Sequence, residues 1–140
     1  MQNDYESALK RDGMLVFVPG GNSMWPTLKH EGQSVVVLPK TDKLRLYDVP
    51  LYKRENGQYV LHRVVGFAEG GYLVCGDSQF NEEVVAEEQI VGVMNGFYRG
   101  KKFISADEKK SRRAALFLRR HRFIKRVAVK LYFTFKRGRG

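Results

Sequence analysis

A serine on a tight turn is the first feature of this chain that can do chemistry. Ser23 lies in Gly20-Gly21-Asn22-Ser23-Met24-Trp25-Pro26-Thr27-Leu28, between two short, mostly apolar runs, Met14–Val18 and Ser34–Leu38. The glycines permit backbone angles that a residue with a Cβ avoids, and Pro26 keeps the turn from becoming a regular ladder. The expected product is a turn between two strands that presents a hydroxyl beside a backbone N–H. Those are two of the parts an acyl-transfer nucleophile requires. Taken alone, the composition is also that of an ordinary loop. Two further stretches shift the balance: Tyr59-Val60-Leu61-His62-Arg63-Val64-Val65 and Gly76-Asp77-Ser78-Gln79-Phe80-Asn81-Glu82-Glu83. A serine hydroxyl is almost never ionised at neutral pH, so it needs a base within hydrogen-bond reach. An imidazole, with an ordinary pKa of about 6.5, is available as that base. A carboxylate can then orient the ring and stabilise its charged form. His62 is the candidate base, and Asp77 and Glu83 are the candidate orienting groups.

In this order and spacing, the three stretches resemble the type I signal peptidase and LexA-type serine peptidase superfamily. Its first box reads Ser-Met-x-Pro-Thr-Leu, matched by Ser23 to Leu28. Its second box ends in Lys-Arg-Val or, in the endoplasmic-reticulum and archaeal-like branch, in His-Arg-Val, as His62-Arg63-Val64 does here. Its third box begins Gly-Asp, like Gly76-Asp77, and in the histidine branch ends in acidic residues, where Glu82-Glu83 stand. The resemblance covers about residues 13 to 100, judged by motif order and spacing. It implies a β fold and a serine endopeptidase with Ser23 as nucleophile and His62 as general base, then acid. It also implies an extended peptide substrate, and no cofactor is expected. Glu83 falls where the branch places its orienting aspartate, so the carboxylate stands one methylene further out. Asp77 remains the alternative, its other role being to close an Asx-turn. Signal peptidases carry an N-terminal membrane anchor, and here the first apolar run is only Met14 to Val18. No window approaches the roughly 18–20 apolar residues of a membrane span. The expectation is a cytoplasmic enzyme without that anchor, able to sit peripherally on the inner face of the membrane.

The Ser23 backbone N–H is the expected oxyanion donor. Signal peptidases often add a serine hydroxyl two residues before the nucleophile, where this chain has Gly21. The Asn22 amide or another backbone N–H is the available substitute, and loss of one such donor is worth ~10²-fold in rate. Met24 and Trp25 either wall the substrate cleft or pack as core. Arg63 either forms an ion pair near the site, with Asp77 as partner, or points outward from its strand. Cys75, the one cysteine, ends an apolar strand and reads as a small buried hydrophobe rather than a nucleophile. His30, His62 and His121 show no metal-ligand spacing with it, so no metal site is expected.

Positioning these residues calls for a scaffold of short strands. Asn3–Arg11 reads as a helix with Asn3 or Asp4 as cap and Gly13 after it, packed through Leu9 and Met14. Leu15–Val18, Ser34–Leu38, Val49–Lys53, Tyr59–Phe67, Tyr72–Cys75, Gln89–Met94, Gly96–Tyr98 and Phe103-Ile104 read as strands. Pro50 marks its strand as an edge or a bulge, and Asn56-Gly57 is a hairpin signal. The third box reads as a loop. The expected fold is mainly β: a compact antiparallel domain over residues 1–104 with a short N-terminal helix. A basic amphipathic helical tail follows over 105–140.

The net charge of +10 belongs to that tail. Residues 108–140 hold 13 Lys and Arg against one acidic residue, leaving 12 basic and 14 acidic residues in the remainder. Between 112 and 136, Leu116, Phe117, Phe123, Ile124, Val127, Leu131 and Phe135 recur at helical spacing, with Arg119, Arg122, Arg126 and Lys130 opposite. Such a segment suits an anionic membrane surface. Nucleic acid is the weaker option, and docking on the chain's own β domain is the third. The rivals to a peptidase are a catalytically inert peptide-binding module tethered by this tail, and a LexA-like regulator that cleaves itself within residues 100–110.

Overall fold

The computed structural model describes residues 4–21, 23–25, 27–28 and 33–108. It opens with α1 (Tyr5–Asp12), which begins where Asp4 accepts from the Ser7 backbone N–H at 3.2 Å. α1 ends at Gly13, whose φ of 70° suits a residue without a Cβ and whose N–H reaches the Leu9 carbonyl at 2.8 Å. Leu9 is buried as expected, but Met14 is exposed: the αL turn at Gly13 ends the helix before Met14 can follow Leu9 inward.

Among the described residues nine strands follow: β1 (Leu15–Phe17), β2 (Val35–Leu38), β3 (Pro50–Lys53), β4 (Tyr59–Leu61), β5 (Arg63–Ala68), β6 (Gly71–Cys75), β7 (Glu83–Val85), β8 (Ile90–Arg99) and β9 (Lys102–Ser105). They form a six-stranded sheet in the order β1-β2-β8-β3-β4, with β9 also on β8, and a three-stranded sheet β5-β6-β7. Every pairing is antiparallel. Over the described residues the fold is therefore mainly β with a short N-terminal α-helix, as the sequence predicts.

Three strand expectations are corrected. Tyr59–Phe67 is not one strand: it breaks at His62, with β4 pairing β3 in one sheet and β5 pairing β6 in the other. The third box is a loop from Gly76 to Glu82, as expected, but its last residue, Glu83, opens a strand the sequence did not announce, β7, which adds to β6. Gln89 closes a 3-10 turn, and the segments 90–94 and 96–98 belong to one long strand, β8, whose bulge opposite Val36 and Val37 absorbs Asn95. Pro50 opens β3 between β8 and β4, beside a register shift at Leu51/Tyr52, so it marks a bulge and not an edge. The Asn56-Gly57 hairpin forms as expected: Gly57 has φ 90° and Arg54 N–H reaches the Gln58 carbonyl at 2.8 Å. β9 ends at Ser105, and beyond it Arg45 Nη2 donates to Asp107 Oδ1 at 3.1 Å. The expected tail helix lies outside the described residues from 109 onward.

Strand alternation divides the core in two. Leu51 and Leu61 face one cluster with Leu9, Val35, Val37 and Met94. Tyr52 faces the other, with Leu44, Val64, Tyr72, Val74 and Val85 between the sheets. Fully burying such a side chain is worth about 1.5–3 kcal/mol. Among the described residues β1 pairs only with β2, and β4 only with β3. The Tyr5 ring bridges these two edges, 5.1 Å from Phe17 after β1's start and 4.8 Å from Tyr59 on β4. The sheet is thus curled enough for one helix residue to touch both margins.

Candidate active site

Ser23 follows β1, and His62 follows β4. Both line one cavity of about 540 Å³, together with Gly20, Gly21, Met24 and Gln79. Phe17 and Tyr59 contribute its walls from the two sheet margins. The serine turn is fixed from both sides. Gly21 takes φ 75°, a conformation the sequence reserves for glycine there. Leu28 N–H reaches the Met24 carbonyl at 2.8 Å, and Ser78 N–H reaches the Ser23 carbonyl at 2.9 Å. Gly76 approaches so closely that a Cβ there would lie 2.6 Å from the Ser23 carbonyl oxygen and 3.1 Å from its Cβ. The Gly-Asp box therefore abuts the serine turn directly.

His62 occupies the corner where the chain leaves one sheet for the other, and only 4% of it is exposed. Its Nδ1 lies 3.1 Å from the Tyr52 hydroxyl. That hydroxyl donates to Glu83 Oε1 at 2.5 Å. Nδ1 itself is 3.8 Å from the same carboxylate oxygen, beyond direct hydrogen-bond distance. Arg54 secures Glu83 from the other side, with Nη2 at 2.6 Å from Oε1 and Nε at 3.3 Å from Oε2. Burial lowers the His62 pKa below its ordinary value, with the Glu83 charge partly opposing. The ring is therefore neutral at neutral pH and available as a base. Burial disfavours the Glu83 charge, but the hydrogen bonds from Arg54 and Tyr52 outweigh it and its pKa lies below the usual range. Burial, then the bond to Glu83, pushes the Tyr52 phenol far up, so it stays protonated.

Of the two carboxylates proposed to orient the ring, Glu83 is the one placed beside it. Asp77 is committed elsewhere. It accepts a bidentate pair from Arg63, Nε to Oδ1 at 2.8 Å and Nη2 to Oδ2 at 2.9 Å, and a further bond from the Thr27 hydroxyl at 2.5 Å. Both partners are about 5% exposed. This ion pair stitches β5 to the third box and to the serine turn, so of the two roles open to Arg63 it takes the ion pair and not the outward-pointing charge. Arg63 also bonds the carbonyl of Tyr47, which holds φ 74°.

The remaining site residues separate cleanly. Met24 is both a cavity wall and a member of the buried core. Trp25 is half-buried and does not contribute to the cavity lining. Asn22 lies outside the described residues. Cys75 is buried, its thiol directed at the Gly76 and Gln79 carbonyls. Among the described residues no cluster of His, Cys, Asp and Glu is arranged to hold a metal.

Sequence reasoning missed Tyr52 and Arg54. The signal for Tyr52 was present in the hairpin. An Asn-Gly turn at 56–57 sets Tyr52 opposite Val60, and His62 is then two residues further along the same face. No family profile matches the chain, and no curated protein is significantly similar to it.

Proposed function

We propose that this chain is a serine endopeptidase of the signal-peptidase-like type, acting on an extended peptide. The observation that carries the reading is the shared cavity. A serine on a glycine-shaped turn and a buried neutral histidine, 39 positions apart, open into the same space between two sheet margins. In the reaction, Ser23 Oγ forms a bond to the substrate carbonyl carbon while His62 Nε2 takes the hydroxyl proton. The oxyanion collapses, the C–N bond breaks, and the imidazolium gives its proton to the departing amine. Water then attacks the acyl-enzyme, His62 again takes the proton, and Ser23 is regenerated as the acid product leaves. Edge strands β1 and β4 flank the cavity, and each offers backbone groups with which an extended peptide can pair.

The test is mass spectrometry of peptide-library cleavage by wild type and Ser23→Ala. Cleavage by the wild type alone supports the reading. Equal turnover by both removes Ser23 from the mechanism. The basic segment 112–136 is proposed to rest on an anionic membrane surface, and no helix among the described residues is long and apolar enough to cross a membrane.

A further inference from the structure

The carboxylate that should serve His62 does not reach it, and a phenol fills the gap. Glu83 accepts two bonds from Arg54 and is ionised, so it has no proton to give. In the 2.5 Å contact between Tyr52 and Glu83, the proton must therefore be the phenolic one. Tyr52 has a single hydroxyl proton. Its 3.1 Å contact with His62 Nδ1 can then be a hydrogen bond only if Nδ1 carries the hydrogen and the phenol oxygen accepts it. That leaves Nε2 without a hydrogen, with its lone pair free for a hydroxyl. We propose that Tyr52 is a positioning residue: it relays the Glu83 carboxylate to His62 and locks the ring in the Nδ1–H tautomer that the base requires.

Resting on the peptidase reading, this inference specifies how the base is prepared. The shape of the network supports it. Tyr52 is completely buried, so its hydroxyl has no water to trade against. Its ring meets the imidazole edge-on with centroids 6.0 Å apart, which restrains the tilt of the histidine as well as its tautomer. The three residues arrive from three strands or strand ends: β3, the β4–β5 corner and β7. The arrangement also explains how a glutamate can serve: its carboxylate stays at the Arg54 side and the phenol spans the remainder. No proton leaves Tyr52 at any step; it accepts from Nδ1 and donates to Glu83 throughout. When the ring becomes an imidazolium, its Nδ1–H bond strengthens and the Glu83 charge stabilises it through the phenol. The charged groups around the ring are Glu83, Arg54 and Asp77, and of these Asp77 is occupied by Arg63.

The experiment is an imidazole ¹⁵N–¹H correlation spectrum of the full chain at neutral pH, with the His62 signals assigned from His62→Asn. Wild type should show the Nδ1–H tautomer. Tyr52→Phe and Glu83→Ala should each release it toward Nε2–H. For peptide cleavage, kcat in Tyr52→Phe should fall ~10–100-fold with little change in KM, as expected for loss of an outer partner. A wild-type ring in the Nε2–H form overturns the inference. So does an unchanged Nδ1–H tautomer in both variants. Glu83 is half-exposed, so Glu83→Ala keeps the question open to measurement if the buried substitution does not fold. The spectrum decides the role of Tyr52, while cleavage by Ser23→Ala decides the peptidase reading beneath it, so the two failures are distinguishable.

Discussion

His62 and Asp77 show how burial gives two ionisable residues opposite duties. Burial lowers the His62 pKa, so the acid limb of a kcat/KM profile should fall below pH 6.5. Glu83→Ala removes the charge that favours the imidazolium, so that limb should move to still lower pH; a shift upward would contradict the assignment. The same depressed pKa has a stability consequence. The unfolded histidine binds its proton at higher pH than the folded one, so His62 favours unfolding as pH drops below about 6.5 and has no such effect above it. Asp77 is a structural anchor instead. Asp77→Ala strands the Arg63 guanidinium in the interior and should destabilise the fold by about 3–5 kcal/mol in urea titration. Pairing it with Arg63→Met should recover most of that loss. If Asp77→Ala costs nothing, the ion pair is not what joins the third box to β5.

At the scale of elements, the site is assembled where chain segments change partners. β4 and β5 would be one strand by composition, yet the break between them turns His62 toward the cavity. The sequence announces most of the scaffold. The αL glycine after α1, the Asn56-Gly57 hairpin and the Val-rich β2 follow from local rules about φ, turn chemistry and alternation. The corner at His62 carries no such mark, because Tyr59 to Ala68 contains no proline and its break depends on which distant strand lies beside each half. The hairpin register announced Tyr52 beside His62, but its link to Glu83 was hidden for a related reason: Glu83 lies 31 positions away and joins it only once β7 pairs with β6. Serine, histidine and the acidic box, by contrast, were readable from type and order. The contact between elements that matters most is Gly76 against Ser23. Gly76→Ala should destabilise the fold by about 1–3 kcal/mol through overpacking. It should also lower cleavage by more than its melting temperature accounts for, since the carbonyl it meets belongs to the proposed nucleophile. A fully active, folded Gly76→Ala would show that this close approach is dispensable.

For the whole molecule, the long sheet curls until its margins β1 and β4 flank a single cavity, with Tyr5 of α1 across the gap. That geometry keeps two sets of strand-edge amides beside the proposed reacting groups, which is what an extended peptide needs. Outside this domain, the charge is concentrated in residues 108–140. The membrane proposal therefore predicts co-sedimentation with anionic vesicles that weakens at high salt and is lost on deletion after Lys110. Equal binding by the truncated chain would contradict it. The central claim is that Ser23 and His62 act as a unit, and residues acting as a unit lose activity non-additively. The decisive measurement is a peptide-cleavage cycle of wild type, Ser23→Ala, His62→Ala and the double variant. Each single substitution should lower kcat by at least ~10³-fold, with the double variant no slower than either. Losses that multiply, or a single variant that cleaves like wild type, would contradict the account.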